Sequence, residues 1–155
     1  VSGLSKNIAT GLRVGFIAAP LHTVPALERI IRATTWNTPG VMTAMACSWL
    51  DDGTVTLLEQ QKRDDAKARQ MLATELLTCI GHPASYFLWL PLPEDVRADQ
   101  MVVELMHEQI SVTTAEPFAV STHVPHAIRL ALGSVPMDVL RQALITVRKV
   151  IGAYL

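Results

Sequence analysis

The longest helical pattern in the chain, residues 54–80, restricts the fold more than any other feature. Its middle, from Glu59 to Gln70, is highly charged, whereas its C-terminal end is apolar and is stopped by Gly81 and Pro83. A helix that is polar in its middle and apolar towards its ends can bridge two domains, and the alternative is one amphipathic surface helix. Either way, the chain has to be built around one long helix with shorter elements before and after it.

Short strands and amphipathic helices alternate after this helix. The predicted elements are a strand at 86–90, a helix at 95–109, short strands at 110–114 and 127–132, and a final helix at 135–154. This order favours an α/β (α+β) two-layer unit in which helices pack on one small sheet.

The part of the chain before the long helix has a different pattern. Residues 12–19 are apolar and are stopped by a proline, which predicts a mostly buried strand. Thr23 is a candidate N-cap with Pro25 in the first turn, and the apolar face of the helix that follows extends to about Thr34. A second helix is predicted at 41–50.

The charge balance and the apolar content restrict the partners. The chain has 13 basic and 14 acidic residues, so this segment has no electrostatic attraction for nucleic acid or an anionic membrane. No uninterrupted apolar run approaches the roughly 18 residues that a membrane span needs. Half of the residues are nevertheless hydrophobic, and the chain begins without methionine, directly on a motif. We therefore expect a piece of a longer protein, with apolar surfaces that missing chain or a second subunit covers.

The cysteines and histidines do not predict a metal site. Cys47 and Cys79 are far apart, and the five histidines are scattered, with no cluster at ligand spacing. We expect both cysteines to be buried apolar side chains in a reducing compartment.

The start of the chain carries the residues with the most chemistry. A turn of small and hydroxyl-bearing residues contains Ser2, Ser5 and Lys6, and Arg13 follows seven residues after the lysine. An amine of depressed pKa can form a Schiff base, and a guanidinium with nearby hydroxyls suits a phosphate. The alternative is a polar loop that enters a core strand, with both cations solvated.

This motif resembles the lysine signature of pyridoxal-phosphate (PLP) proteins of fold type I, the class I and II aminotransferases. Ser2-Gly3-Leu4-Ser5-Lys6 and Gly11-Leu12-Arg13-Val14-Gly15-Phe16 stand at the matching positions. The resemblance implies that Lys6 is the catalytic residue that holds the cofactor covalently and that Arg13 binds its phosphate. The family often has Ser or Thr where this chain has Gly3, so Ser2 or Ser5 would have to supply the hydroxyl.

The resemblance continues to the end of the chain. The apolar strand around Ile128-Arg129-Leu130 matches the family strand whose arginine binds the substrate α-carboxylate, which implies that role for Arg129. A structural salt bridge is the alternative for a lone arginine in an apolar strand. By the same resemblance, residues 1–60 are the end of the PLP-binding large domain and residues 61–155 are the small domain.

The resemblance leaves the function open between an enzyme and a regulator. The run from Ser5 to Gly15 and the strand around Arg129 look closest to MocR/GntR-type transcription regulators, whose aminotransferase-like domain follows a winged-helix DNA-binding domain. A genuine aminotransferase is the alternative, and a plain α/β interaction module without PLP is a third. The pyridine-nitrogen partner and the glycine-rich phosphate loop of the family have no match here, so we expect the segment alone to be inactive.

The resemblance also implies the setting of the protein. Fold-type-I proteins are dimers with active sites at the interface, which predicts a homodimer with the loop from Trp36 to Gly40 as an interface element. The expected ligand besides PLP is an amino-acid-like small molecule, in the cytoplasm. DNA would be bound only through a domain that this chain does not contain, and no membrane contact is expected.

Overall fold

The computed structural model describes residues 1–154, and it divides the chain into two compact units, Val1–Lys62 and Arg63–Leu155. Helix α4, Thr54–Leu76, begins in the first unit and ends in the second. It contributes Val55 to the core of the first unit and Leu72 to the core of the second.

The first unit begins with a small hairpin around one helical turn. Strand β1 (Ser2–Gly3) pairs antiparallel with β2 (Gly15–Phe16), and helix α1 (Leu4–Asn7) lies between them. The core of this unit consists of buried apolar side chains from these elements, from α3 and from α4: Leu4, Ile8, Leu12, Val14, Ala46 and Val55. The hairpin is therefore held to the core of this unit by apolar side chains, one of which points inward every few residues.

The prediction of a buried strand at 12–19 is wrong over most of its length. Only Gly15–Phe16 forms a strand, and Phe16 and Ile17 are exposed. The physical reason is the partner, because β1 offers only two residues for pairing and a ladder cannot extend beyond its partner strand.

Two helices complete the first unit and leave much apolar surface open. Helix α2 spans Val24–Thr34 and α3 spans Gly40–Asp51, close to the predicted bounds. Thr23 precedes α2 as predicted, but its hydroxyl donates to the carbonyl of Pro20 at 2.7 Å and does not cap the helix. Among the described residues of both helices only Ala46 is buried, and Ile30 and Val41 are 59% and 68% exposed.

The second unit is built on a four-stranded antiparallel sheet. Its strands are β3 (Ile80–Gly81), β4 (Phe87–Pro91), β5 (Thr113–Thr114) and β6 (Ala127–Ala131), in the order β3-β4-β6-β5. Helices α5 (Ala98–His107) and α6 (Met137–Gly152) complete it. Side chains from α4, α5, α6 and the sheet form one core, which includes Leu72, Leu88, Met101, Ile128, Leu130 and Leu144. The two-layer fold with helices on a small sheet is therefore confirmed.

The long helix ends earlier than its sequence pattern indicates. The sequence pattern predicts a helix to residue 80, but α4 ends at Leu76, and Ile80–Gly81 pairs with β4 instead. Gln70 is 5% exposed and donates from Nε2 to the carbonyls of Ser85 and Phe87 at 2.8 and 3.0 Å. Hydrogen bonding to the next segment and strand pairing thus override local helix propensity here.

Within the second unit, hydrogen bonds join the part of α4 around Arg69 to the segments next to the sheet. Arg69 donates from Nη1 to the carbonyls of Leu132 and Val135, both at 2.7 Å, and from Nε to Asp65 at 2.9 Å. The Tyr86 hydroxyl donates to the same carboxylate at 2.7 Å. Partial burial, followed by this bond to Asp65, raises the pKa of Tyr86 to about 12. The charged side chains of Arg69 and Asp65 therefore take part in the packing of the second unit through hydrogen bonds.

The cysteines differ from expectation. Cys47 is exposed and Cys79 is half-buried, so the prediction that both are buried is wrong. Burial raises the pKa of the Cys79 thiol. In the part of the chain that the structure describes, no three His, Cys, Asp or Glu side chains are grouped as metal ligands. None of the helices described is both long and apolar enough to cross a bilayer.

Candidate cofactor and carboxylate sites

The loop that carries Lys6 and Arg13 is closed at its base by the hairpin. Ser2 pairs with Phe16, Gly3 pairs with Gly15, and the Leu4 amide donates to the Val14 carbonyl at 3.0 Å. Residues 4–14 therefore leave and return at the same point, so that the lysine and the arginine belong to one closed loop.

The buried side chains of this loop decide which residues face outward. Leu4 and Ile8 are four residues apart and enter the core on one face of the α1 turn, and Leu12 and Val14 enter it on either side of Arg13. Ser5, in the α1 turn, is half-buried, whereas Ser2, Lys6 and Arg13 are exposed. The packing thus turns the polar side chains of the motif away from the core.

Arg13 has an unusual backbone conformation. Its φ of 51° and ψ of 30° lie in the left-handed region, directly after the 3-10 turn Thr10–Leu12. A non-glycine residue there costs about 1–2 kcal/mol, and such strain is concentrated at functional sites. The conformation allows both neighbours of Arg13, Leu12 and Val14, to be buried while the guanidinium stays outside.

Asn7 is a residue of this loop that the sequence did not single out. Its Nδ2 donates to Glu59 Oε1, which ties the α1 turn to helix α4 directly beside Lys6. Its Oδ1 is buried and accepts no hydrogen bond from the described residues. The only sequence signal for Asn7 was its place as a polar residue between the lysine and the apolar Ile8.

The donor set of this loop fits PLP. Among the described residues, the Lys6 amine and the Arg13 guanidinium form no ion pair or hydrogen bond, so neither is committed to a structural partner. Ser2 and Ser5 flank the lysine with hydroxyls. A Cβ at Gly3 would lie 3.0 Å from the Val14 carbonyl oxygen, so a side chain at that position would press on the facing strand. Gly3 therefore supplies no hydroxyl, and the described hydroxyls beside the lysine are those of Ser2 and Ser5.

Arg129 lies in the second unit, in the middle of β6. It pairs across the sheet with Trp89 on one side and with Thr113 on the other. Its neighbours Ile128 and Leu130 are buried in the core, so the alternation of the strand places Arg129 on the opposite face of the sheet, away from those core side chains. The alternation of a strand thus places one cation on the open face of the sheet.

Aromatic rings hold the Arg129 side chain on that face. Its Cζ lies 4.8 Å from the centre of the Phe87 ring and 4.1 Å from the centre of the Phe118 ring. Ring faces attract a guanidinium by about 0.5–2 kcal/mol, and they leave its N–H groups available to an anion. Among the described residues no carboxylate pairs with Arg129, so the alternative of a structural salt bridge is not formed there. Nothing in the sequence pattern indicated Phe118, which comes from the turn Glu116–Phe118.

These features define an aminotransferase-like domain of fold type I. The family model described as aminotransferase class I and II matches residues 1–146, and the chain belongs to this family. The resemblance inferred from the lysine motif and the Arg129 strand is thereby confirmed. Pyridoxal 5'-phosphate is the cofactor of this family, as predicted.

The chain is similar in sequence to curated regulators and in fold to solved aminotransferases. The chain is 21% identical over 156 residues to YdeF of Bacillus subtilis and 25% identical over 126 residues to YdcR of Escherichia coli, both uncharacterized HTH-type transcriptional regulators. These matches cover 97% and 76% of the chain but only 34% and 27% of the regulators. The structure of LysN, an α-aminoadipate aminotransferase of Thermus thermophilus complexed with N-(5'-phosphopyridoxyl)-L-leucine, superposes with a TM-score of 0.83 at 16% identity, over 97% of the chain and 41% of LysN.

Proposed function

We propose that this chain is the effector-sensing part of a MocR/GntR-type transcription regulator, and that it binds PLP and an amino-acid-like small molecule. The observation that carries the proposal is that a chain of the aminotransferase family has helix-turn-helix regulators as curated relatives. DNA would be bound by a separate part of the protein, because 13 basic and 14 acidic residues give this chain no attraction for phosphate backbones.

Each residue of the closed loop has a role in this proposal. Lys6 would hold the cofactor covalently through its amine, which has to lose its proton first. Arg13 would bind two phosphate oxygens, and Ser2 and Ser5 would donate hydroxyl hydrogen bonds. PLP, when bound, supplies an electron-withdrawing ring to an attached amine. The first unit would then be the end of the large domain, with a boundary near residue 60, and the second unit would be the small domain.

Arg129 would bind the carboxylate of the small molecule. A guanidinium engages both oxygens of a carboxylate at once, and the flanking rings of Phe87 and Phe118 keep its plane fixed. Its position on the open face of the sheet leaves the side chain accessible to a ligand.

Borohydride trapping tests the cofactor assignment. The full-length protein is incubated with PLP, reduced, digested and mapped by mass spectrometry. We expect a pyridoxyl group on Lys6 that the Lys6→Ala variant loses and that the Lys67→Ala variant, altered at an exposed lysine of α4, retains. An unmodified Lys6 in folded protein would leave the α/β interaction module as the account of this chain.

A genuine aminotransferase is the second candidate, favoured by the LysN superposition. Exchange between amino and keto acids by the full-length protein would support it. For a regulator we expect no exchange, together with an amino-acid-dependent change in binding to promoter DNA. The chain by itself is expected to show no exchange, because the rest of the active site lies elsewhere.

The exposed apolar residues of the first unit support a homodimer. Trp36, in the loop before α3, is 73% exposed, and Ile30 and Val41 on the adjoining helices are also open. A second subunit would cover this surface, with the loop from Trp36 to Gly40 in the interface. Mass measurement of the full-length protein that finds monomer alone would contradict this. As a regulator the protein would work in the cytoplasm, where the DNA lies.

A further inference from the structure

A cavity of about 390 Å³ opens in the second unit beside the Arg129 face of the sheet. Its apolar walls include Trp89, Phe118, Ala119 and Val120, and Ser121 and His123 are the polar residues among those that line it. The volume is in the range of small-molecule sites, roughly 300–1,000 Å³. The sequence indicated nothing here, because every one of these residues except Trp89 lies in the segment between β5 and β6.

Two residues that line this cavity, Phe118 and Trp89, are also neighbours of Arg129. The Phe118 ring lies 4.1 Å from the Arg129 guanidinium and packs edge-on against the Trp89 ring, with 5.6 Å between the ring centres. Trp89 is also the cross-strand partner of Arg129. The cation and the apolar cavity are therefore separated by no more than one aromatic layer.

The lining of the cavity restricts the chemistry of its occupant. None of the described residues that line it is Asp, Glu, Lys or Arg. An ionised side chain of a ligand would find no opposite charge among these residues, whereas an apolar side chain would bury part of its surface against them. The geometry thus separates two functions, an anion contact at Arg129 and an apolar contact in the cavity.

We propose that this cavity is the side-chain subsite for the ligand whose carboxylate Arg129 binds, and that the ligand is an amino or keto acid with an aromatic or branched apolar side chain. The proposal rests on the proposed function, since it takes the carboxylate contact from it. It adds the class of the ligand, and it excludes acidic and basic amino acids as preferred ligands.

Titration calorimetry of the full-length protein, with saturating PLP, tests this with L-phenylalanine, L-alanine and L-aspartate as probes. Burial of the ring predicts that phenylalanine binds roughly tenfold or more tighter than alanine, with aspartate no tighter than alanine. Ala119→Phe, which fills the cavity, should remove the advantage of phenylalanine and leave the alanine affinity within about twofold. Ser121→Phe does the same from an exposed position, so that a folding defect at Ala119 cannot decide the result.

Two further variants separate the subsite from the carboxylate contact. Ala153→Phe adds the same ring at an exposed position outside the cavity and should change neither affinity. Arg129→Gln should weaken phenylalanine and alanine alike. Equal affinities for phenylalanine and alanine in the unmodified protein, or tighter binding of aspartate, would overturn the subsite and leave the proposed function standing. Absence of binding by all three probes would overturn both.

Discussion

Replacement of Arg69 by methionine measures how much the hydrogen bonds from the polar middle of α4 contribute to the stability of the second unit. The Arg69 side chain is 11% exposed, and it donates to the carbonyls of Leu132 and Val135, which follow β6, and to Asp65 on its own helix. Methionine retains most of the apolar stem and removes every donor. The substitution therefore tests hydrogen bonding with little change in packing.

The expected loss follows from these three contacts. Hydrogen bonds to a charged donor contribute about 1.5–3 kcal/mol each, and a buried acceptor left without a partner costs a similar amount. The ion pair adds little, because the Asp65 side chain is 43% exposed and exposed pairs contribute about 0–1 kcal/mol. We expect Arg69→Met to lower the free energy of local opening by about 3 kcal/mol, more than a hundredfold in exchange protection.

Native-state hydrogen exchange on the full-length protein measures this loss in peptides that cover residues 127–140. Arg141→Met is the matched control, since its pair with Glu75 on α4 is 3.7 Å long and both side chains are about half exposed or more. We expect the control to change the opening free energy by less than about 0.5 kcal/mol. A loss below about 1 kcal/mol for Arg69→Met, or equal losses in the two variants, would refute the reasoning.

Three further predictions concern single positions. The folded-state pKa of Tyr86 is about 12, above its ordinary value of 10, so its contribution to stability is complete below pH 10 and is lost as pH rises to 12. Absorbance titration should show a tyrosine ionisation near pH 12 that is absent in Tyr86→Phe. Gly81→Ala places a Cβ 2.6 Å from the hydrogen-bonded Gln70 side chain and should destabilise by roughly 1–3 kcal/mol in denaturant titrations, whereas Gly40→Ala, with open space around it, should not. Arg13→Gly should raise stability by up to about 1 kcal/mol by relieving its positive φ, while PLP affinity measured by absorbance falls.

The local pattern of apolar residues was sufficient to predict the elements that have a strong periodicity. Helix α6 and strand β6 lie close to their predicted bounds, because apolar side chains at helical or alternating spacing can be buried in only one way. The same holds for the two-layer packing in the second unit. The family was also accessible from the sequence, since the motif that contains Lys6 and Arg13 is contiguous.

Contacts between distant segments decided the rest. The end of α4 at Leu76 depends on pairing of Ile80–Gly81 with β4, and local propensity carries no information about a strand partner. The sequence by itself determined that the strand at 127–131 holds one arginine among apolar residues. Only the tertiary structure decided that Arg129 faces away from the core, between Phe87 and Phe118, because the side that a strand buries depends on which helices pack against it.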